Sequence, residues 1–144
     1  AEGNMIYDGG FVSGLYEGSG KLYDAEGNMI YDGGFVSGLY EGNGKLYANG
    51  VLSFEDEFNE GLKEGAGKGY NTETQVLIYD GNFAAGKYSG EGKQFSAYNG
   101  ELVYDGNFYQ GLYYGEGKLY SSDTMTLIYS GNFRLGIYDG EGTL

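Results

Sequence analysis

Cysteine, histidine, tryptophan and proline are all absent from this chain of 144 residues. Without histidine or cysteine the sequence offers no Ser–His or Cys–His nucleophile pair and no imidazole base near neutral pH. The same absence removes the usual ligand sets for zinc, haem and iron–sulfur clusters. No disulfide can form, which leaves the cellular compartment open. The composition therefore excludes most catalytic and redox chemistry and predicts that the chain carries no cofactor.

Basic residues are also scarce, since 8 lysines and arginines stand against 21 acidic residues and give a formal net charge of -13. Nucleic-acid binding requires clustered lysine and arginine. An anionic membrane surface repels a strongly acidic chain, and no apolar run approaches the length of a membrane span. We therefore expect neither nucleic acid nor an anionic membrane as a partner.

Glycine and tyrosine are abundant, with 30 and 17 residues, and they recur at regular intervals. Residues 1–23 and 25–47 are identical except that Ser19 becomes Asn43. Their frame, Y-D-G-x-F-x-x-G-x-Y-x-G-x-G-K-x-Y, recurs at spacings of 24, 23, 25, 25 and 25 residues. The six copies open at Tyr7, Tyr31, Phe54, Tyr79, Tyr104 and Tyr129. We expect residues 1–144 to form one repeat array, a segment of a longer array.

Each copy is predicted to be two short strands around a glycine turn, because no segment has the length or spacing of a helix. Alternation places aromatic, aliphatic and glycine residues on one face and polar residues on the other. The expected register sets Gly9 opposite Gly20, Tyr7 opposite Leu22 and Phe11 opposite Gly18. It also sets an acidic residue opposite a lysine in copies one to five, as in Asp32 and Lys45.

The pattern Y-x-G-x-F-x-x-G-x-x-x-G-x-G resembles the MORN (membrane occupation and recognition nexus) repeat over essentially the whole chain. The resemblance implies an all-β fold, an elongated, single-layer twisted antiparallel sheet of about six tandem β-hairpins. It also implies a scaffolding or protein-binding function, and for some members an association with phosphoinositide-rich membranes. MORN copies often carry a basic residue just after the turn glycine, whereas most copies here carry leucine or isoleucine. We therefore do not extend the lipid function to this chain.

The third copy departs from the frame at three places. Phe54 replaces the first tyrosine, Asp56 replaces a glycine and Gly69 stands where most other copies have leucine. A carboxylate on the aromatic face predicts a weaker or kinked unit at this point.

Three sequence patterns could suggest a phosphate loop, a metal site or a glycosidase carboxylate pair, and we interpret each as structural. Glycine–lysine steps such as Gly18-Ser19-Gly20-Lys21 lack the spacing and the following helix of a phosphate loop. The acidic residues between Glu55 and Glu64 alternate between the faces of a strand, so we expect a solvated patch and no metal site. Carboxylates that recur on an open polar face also lack the concave paired arrangement of a glycosidase. We predict no catalytic residue.

The aromatic residues are divided into a structural core and candidate binding residues. The predicted repeat core comprises Tyr7, Phe11, Tyr31, Phe35, Phe54, Phe58, Tyr79, Phe83, Tyr104, Phe108, Tyr129 and Phe133. The candidate partner-binding residues, near the hairpin turns, are Tyr16, Tyr40, Tyr88, Tyr109, Tyr113, Tyr114 and Tyr138. Tyrosine supplies rigid amphipathic contact area, which suits either a protein or a sugar chain.

Three functional hypotheses remain open. The first is a non-catalytic scaffold that presents a groove-like aromatic face to a protein partner or to another array. The second is a glycan- or cell-surface-binding module that uses the tyrosine stripe. The third is an accessory array of an enzyme encoded outside these residues.

Overall fold

The computed structural model describes residues 6–121 and 124–143, with side chains described as far as residue 137. These residues form one twelve-stranded antiparallel sheet in which the order of strands across the sheet is their order along the chain. The strands are β1 Ile6–Val12, β2 Leu15–Tyr23, β3 Met29–Val36, β4 Leu39–Ala48, β5 Val51–Asn59, β6 Leu62–Tyr70, β7 Leu77–Ala84, β8 Lys87–Phe95, β9 Leu102–Tyr109, β10 Leu112–Tyr120, β11 Leu127–Arg134 and β12 Ile137–Thr143. The all-β array of six tandem hairpins predicted from the sequence is confirmed.

Each odd-numbered strand is joined to the next by a two-residue hairpin turn. In the first hairpin Ser13 and Gly14 have φ angles of 52° and 81°. Two successive positive φ angles are typical of the type I′ turn, whose twist matches that of the flanking strands. The turn glycine at the second position is therefore required by backbone conformation.

The cross-strand register agrees with the prediction over the first half of each hairpin. Tyr7 lies opposite Leu22, Asp8 opposite Lys21 and Gly9 opposite Gly20. The predicted pairing of Phe11 with Gly18 is wrong, because the register shifts after Gly9 and Phe11 lies opposite Tyr16. Gly18 has a φ of 78° and lies opposite Phe35 of the following hairpin instead. The sequence alternation failed here because a bulge inserts extra residues into β2.

Consecutive hairpins are also tied together at their turns. The Gly38 N–H donates to the Tyr16 carbonyl oxygen at 2.9 Å, so the turn of the second hairpin is bonded to β2. The Glu17 carboxylate accepts a second bond from the Ser37 N–H at 3.2 Å. These bonds fix each hairpin on its neighbour, as nearest-neighbour packing in a repeat array requires.

The sheet has two chemically different faces. One face, which we call the ladder face, carries the tyrosine and phenylalanine rings of the predicted repeat core. On it Tyr31, Tyr79 and Tyr104 are completely buried. The charged face carries the cross-strand carboxylates and lysines, such as Asp32 opposite Lys45. The hydrophobic core of this single-layer fold is therefore made on one face of the sheet by side chains that pack on its own backbone.

Candidate functional site

The ladder face is built from tyrosine rings that lie over pairs of glycines. In the fifth hairpin the Tyr104 ring covers Gly106 and Gly117, which face one another across β9 and β10, and a Cβ at either glycine would overlap the ring hydroxyl region. The Tyr104 hydroxyl donates to the Asn107 carbonyl oxygen at 2.8 Å. Burial raises the pKa of Tyr104 to about 12. The first tyrosine of the frame therefore serves as a neutral, hydrogen-bonded structural group.

The same hydroxyl bond recurs in the other hairpins whose first ring is a tyrosine. The donors Tyr7, Tyr31, Tyr79 and Tyr129 bond to the carbonyl oxygens of Gly10, Gly34, Asn82 and Asn132 at 2.7–3.0 Å. Sequence reasoning missed this bond. The constant separation of three residues between the tyrosine and its acceptor was the available signal.

A second tyrosine stacks on the first in the first, second, fourth and fifth hairpins. The rings of Tyr104 and Tyr113 lie 3.8 Å apart with an interplanar angle of 9°. Phe133 of the next hairpin meets both rings edge-on, at 5.3 Å and 5.5 Å between centroids. Such edge-to-face contacts stabilise by about 0.5–1.5 kcal/mol beyond area burial. We call this continuous arrangement of stacked tyrosine pairs and edge-on phenylalanines the aromatic ladder.

Most of the candidate partner-binding tyrosines take part in this ladder. The residues that stack at 3.7–3.8 Å on the first tyrosine of their own hairpin are Tyr16, Tyr40, Tyr88 and Tyr113. The side chain of Tyr138, the fifth candidate in this series, lies outside the described residues. Only part of each described ring reaches solvent, so these residues offer a partner a limited area.

Tyr109 and Tyr114 have a different location. They directly follow Phe108 and Tyr113 in their strands, and so they lie on the opposite face from the ladder. Their exposed fractions are 49% and 44%, and their ring centroids are 5.5 Å apart. The structure thus separates these two tyrosines from the other candidates and places them as an exposed pair on the charged face.

The predicted core rings are buried except near the first strand and in the third hairpin. The buried members are Tyr31, Phe35, Phe58, Tyr79, Phe83, Tyr104, Phe108, Tyr129 and Phe133. Phe11 is 57% exposed, because the rings that cover its counterparts belong to the hairpin before and β1 has no described hairpin before it. Tyr7 and Phe54 are only partly buried.

The third hairpin interrupts the ladder with charged groups. Lys63 occupies the position of the second tyrosine, and its Nζ lies 3.9 Å from the centroid of the Phe54 ring. Asp56 occupies the position of the glycine under the ring, faces Gly67 across the hairpin, and is 5% exposed. The aromatic residues accordingly divide into two clusters within this hairpin, because its Phe58 packs with the hairpins before it and its Phe54 packs with those after it.

The buried carboxyl group of Asp56 is only partly satisfied. Its Oδ1 accepts the Glu57 N–H at 2.8 Å, whereas its Oδ2 has no hydrogen-bond partner. Burial raises the pKa of Asp56 to about 7, against the lowering effects of the Glu57 N–H and the Lys63 charge. Burial also lowers the pKa of Lys63, which the charge of Asp56 partly offsets. This arrangement destabilises the hairpin locally.

Three adjoining cavities lie on the charged face. A cavity of about 550 Å³ is bounded by residues from Asp32 to Asp80. It shares Asp80 with a second cavity of about 450 Å³, which in turn shares Asp105 and Asn107 with a third of about 550 Å³. The sequence hypothesis placed the groove on the aromatic face, but the tyrosine rings fill the space there. We call the three joined cavities the charged groove.

The charged groove carries an excess of negative charge. On the charged face its lining contains six acidic residues and four lysines, and the two signs alternate from strand to strand in its central row. The central row consists of Asp32, Lys45, Glu55, Lys68, Asp80, Lys93, Asp105 and Lys118. The groove crosses nine strands from β3 to β11, and the eight spacings between them amount to about 40 Å.

The glutamates near the hairpin turns have structural partners. Glu64 accepts the Ala85 N–H at 2.7 Å, and Glu41 accepts the Glu60 N–H at 3.1 Å. These are the counterparts of the Glu17 bond to Ser37 and hold the turn of the next hairpin. No group of three or more acidic residues suited to a metal ion occurs in the part of the chain that the structure describes. Among those same residues there is also no helix with the length and apolar character needed to cross a membrane.

Comparison with known proteins agrees with this geometry. The sequence profile described as MORN repeat matches residues 7–29, 31–51, 79–97, 104–126 and 129–144. No curated protein matches the chain. The matched segments cover more than two thirds of the 144 residues, and the unmatched interval 52–78 contains the third hairpin with its altered ladder. The repeated frame, the tandem hairpins and the profile match together show that this chain belongs to the MORN repeat family.

Proposed function

We propose that this array is a non-catalytic scaffold that binds an extended basic segment of a protein partner along the charged groove. The observation that carries the proposal is the continuity of the groove, because three cavities share Asp80, Asp105 and Asn107 across the sheet. MORN repeats are commonly modules for protein or membrane interaction. A long open groove on a repeat surface suits an extended ligand better than a compact one.

The excess of carboxylates in the groove favours a partner with lysine or arginine side chains. Complementary charge steers encounter and fixes the register of the ligand. Backbone hydrogen bonds between neighbouring strands fix the positions from which the groove carboxylates and lysines project. Little of the binding free energy is therefore lost in ordering the sheet. The four lysines between the carboxylates would bind acidic or amide groups of the same segment.

Tyr109 and Tyr114 are proposed to contact the partner beside the groove. Both rings lie exposed on the charged face, and tyrosine is enriched at energetically important positions of interfaces. For Tyr16, Tyr40 and Tyr88, together with Tyr113 and Tyr138, we propose a supporting function in which only the outer ring edges meet a partner.

The proposal excludes catalysis by these residues because general acid–base chemistry needs groups with separated pKa values near one substrate atom. The carboxylates of the central row instead alternate with lysines along an open surface. Asp56, whose burial raises its pKa to about 7, lies on the ladder face beneath neighbouring side chains.

The proposal is tested by selecting ligands from a displayed library of random peptides. Selected peptides should be rich in lysine and arginine, and Asp80→Lys/Asp105→Lys should weaken their binding at least tenfold. The matched control is Glu73→Lys/Glu101→Lys, which changes the net charge equally at connector residues away from the groove. Equal loss in both variants would show attraction to net charge alone and contradict a groove site.

The glycan alternative is tested by measuring the binding of the parent chain and of Tyr109→Ala/Tyr114→Ala to a panel of polysaccharides. Binding to a neutral glycan that is lost with Tyr109→Ala/Tyr114→Ala, without selection of any basic peptide, would replace the protein partner with a sugar chain. Co-sedimentation with anionic vesicles at physiological salt is not expected, because 21 acidic residues oppose 8 basic ones.

A further inference from the structure

The carboxylates of the central row repeat on every second strand of the charged groove. They lie in β3, β5, β7 and β9, and belong to Asp32, Glu55, Asp80 and Asp105. The strands between them carry the lysines of the row. Neighbouring strands are about 4.8 Å apart, so successive carboxylates are about 9.6 Å apart along the groove. A ligand that follows the groove therefore meets an acidic group at each such interval and a lysine midway.

Asparagine amides run beside these carboxylates at the same spacing. Asn82 and Asn107 each follow a row carboxylate by two residues, in β7 and β9, and so lie on the same face. The Nδ2 of each donates to a backbone carbonyl oxygen of the next strand, that of Glu91 or Glu116, at 3.2 Å. With Nδ2 bonded in this way, the amide oxygen can accept an N–H from a ligand backbone.

The interval between carboxylates distinguishes the regular conformations of a peptide ligand. Side chains on one face of a β-strand recur about every 6.7 Å. In an α-helix the same face returns after seven residues, or about 10.5 Å. In a polyproline II helix every third side chain points the same way, at intervals of about 9.3 Å. Over three intervals polyproline II departs from the carboxylates by about 1 Å, the α-helix by about 3 Å and the strand by about 9 Å.

The twist of the sheet is compatible with a polyproline II ligand. Neighbouring strands rotate by about 20–25°, so carboxylates two strands apart turn by about 45° around the groove. Spread over three residues, this turn requires about 15° per residue, which lies within the ordinary scatter of backbone dihedral angles. Polyproline II has no internal hydrogen bonds, so its winding can change without breaking any, and its C=O groups remain free to accept from the row lysines.

An exposed aromatic surface lies beside the same part of the groove. Tyr109 is two residues beyond Asn107 in β9, and Tyr114 is two residues before Glu116 in β10. Both Asn107 and Glu116 line the groove. In the first four hairpins the positions equivalent to Tyr109 and Tyr114 hold no aromatic residue. Aromatic surfaces are what proline-rich polyproline II segments dock on in other peptide-binding modules, so the tyrosine pair independently favours this class of ligand.

We propose that the partner segment in the charged groove is a polyproline II helix with a lysine or arginine at every third residue, each paired with one carboxylate of the central row. The row lysines oppose basic residues at the two intervening positions, so the groove rejects a continuous basic run. Proline or other apolar residues at those positions contact Tyr109 and Tyr114. The inference rests on the proposed binding of a basic segment in this groove, and it adds the conformation and the spacing of that segment.

The first test compares peptides of four lysines and six prolines that differ only in the order of their residues. One has lysine at every third position, the second has it at every second position, and the third has its lysines in one block. Proline-rich chains adopt polyproline II, so composition, charge and conformation are matched. Fluorescence anisotropy with the purified chain at physiological salt should show about tenfold tighter binding of the first peptide than of the other two.

The outcomes separate this inference from the function on which it rests. Equal binding of the three peptides, lost in Asp80→Lys/Asp105→Lys, would retain the groove as a site for basic segments and overturn the spacing. If none of the three binds, the proposed function fails together with the inference.

A fourth peptide tests the conformation separately. It keeps lysine at every third position and has glycine in place of proline, so that the free chain is flexible. It should bind about fivefold more weakly than the first peptide, because the flexible chain has to be ordered on binding. Equal affinity of the glycine and proline peptides would overturn the polyproline II conformation.

The second test removes one lysine of the central row. Lys93→Gln should at least halve the preference for the every-third peptide over the block peptide, because the block peptide then meets less like charge. The matched control is Lys87→Gln, which removes the same charge at the turn end of the same strand, outside the residues that line the groove. The control should keep the parent preference. An equal fall in both variants would assign the preference to net charge and contradict the proposed spacing.

Discussion

The second and third hairpins share a backbone register and differ in what fills the ladder. In the second hairpin Tyr31 covers Gly33, which lies opposite Gly44, and its hydroxyl is bonded to the Gly34 carbonyl oxygen. In the third hairpin Phe54 stands in place of the tyrosine and Asp56 in place of the glycine, opposite Gly67. The hairpin persists with a buried carboxylate in it.

This difference shows that the two hairpins obtain their stability in different ways. The second buries a complete ring and satisfies its hydroxyl, so the aromatic packing itself stabilises the pair of strands. In the third, Lys63 lies over Phe54, and the flanking hairpins contact it through the β4–β5 and β6–β7 pairings. Nearest-neighbour coupling in an array tolerates a weak unit between strong ones.

The largest expected effect comes from giving a regular hairpin the third hairpin's carboxylate. Gly106→Asp should lower the free energy of unfolding by about 3–5 kcal/mol, because it displaces the Tyr104 ring and buries an unpaired charge. Denaturant titration followed by tyrosine fluorescence measures the loss. Asn107→Asp adds the same charge beside it at a partly exposed position and loses the 3.2 Å bond from the Asn107 amide to the Glu116 carbonyl oxygen. This control should cost about 1 kcal/mol.

The next largest effect is expected when the third hairpin is given the tyrosine and glycine of the regular hairpins. Phe54→Tyr/Asp56→Gly should raise the free energy of unfolding by about 2 kcal/mol, because the orphaned carboxyl group is removed and a ring can cover Gly67 and the backbone of position 56 opposite it. Phe54→Tyr alone should be neutral or unfavourable, since the new hydroxyl competes with Asp56 for the same space. Asp56→Gly is the second single variant. If the stability changes of Phe54→Tyr and Asp56→Gly add up to that of the double variant, the ring and the carboxyl group do not compete for the same space.

The pH dependence of stability separates the two hairpins further. Burial raises the pKa of Asp56 to about 7, so the folded state holds this proton more tightly than the unfolded chain, where the pKa is about 3.9. The contribution of Asp56 is therefore most favourable below pH 4 and declines as the pH rises towards 7. We expect the stability contributed by Asp56 to fall by about 2–3 kcal/mol between pH 5 and pH 8.

Asp56→Asn is the control for this pH effect, because it keeps the shape and removes the titration. Chemical denaturation at a series of pH values should show a smaller decline in the variant than in the parent chain. Identical profiles would mean that the carboxyl group is solvated in the folded state.

The smallest expected effect tests whether the second and third hairpins differ only in the side chains of the aromatic ladder or also in their backbone. Gly42 and Gly65 occupy equivalent bulge positions in the second and third hairpins, with φ angles of 72° and 83°. An alanine at either position must adopt a left-handed conformation, which costs about 1 kcal/mol. A Cβ at Gly65 would also meet the Glu57 carboxylate, whereas a Cβ at Gly42 meets nothing. Because that carboxylate is the end of a flexible side chain and can move aside, thermal melts of Gly42→Ala and Gly65→Ala should show similar losses. A much larger loss at Gly65 would show that the third hairpin is also weakened in its backbone.

The sequence by itself determined the repeat, the hairpins and most of the register. Glycine and aromatic residues recur at a fixed spacing, and alternation along a strand assigns Tyr7 and Asp8 to opposite faces without further information. The turn glycines could be located in the same way, because a two-residue hairpin turn needs positive φ angles. The departures of the third copy at Phe54 and Asp56 were also visible, since they break a pattern that five other copies keep.

Only the tertiary structure decided which surfaces are filled and which remain open. The bulge at Gly18, which moves Phe11 opposite Tyr16, depends on backbone dihedral angles that simple alternation does not encode. The filling of the ladder depends on rings from neighbouring hairpins, and this contact makes Phe35 buried while Phe11, with the same local sequence, is exposed. The groove lies on the charged face for the same reason: among the described residues the rings pack over the other face, and only packing in three dimensions shows this.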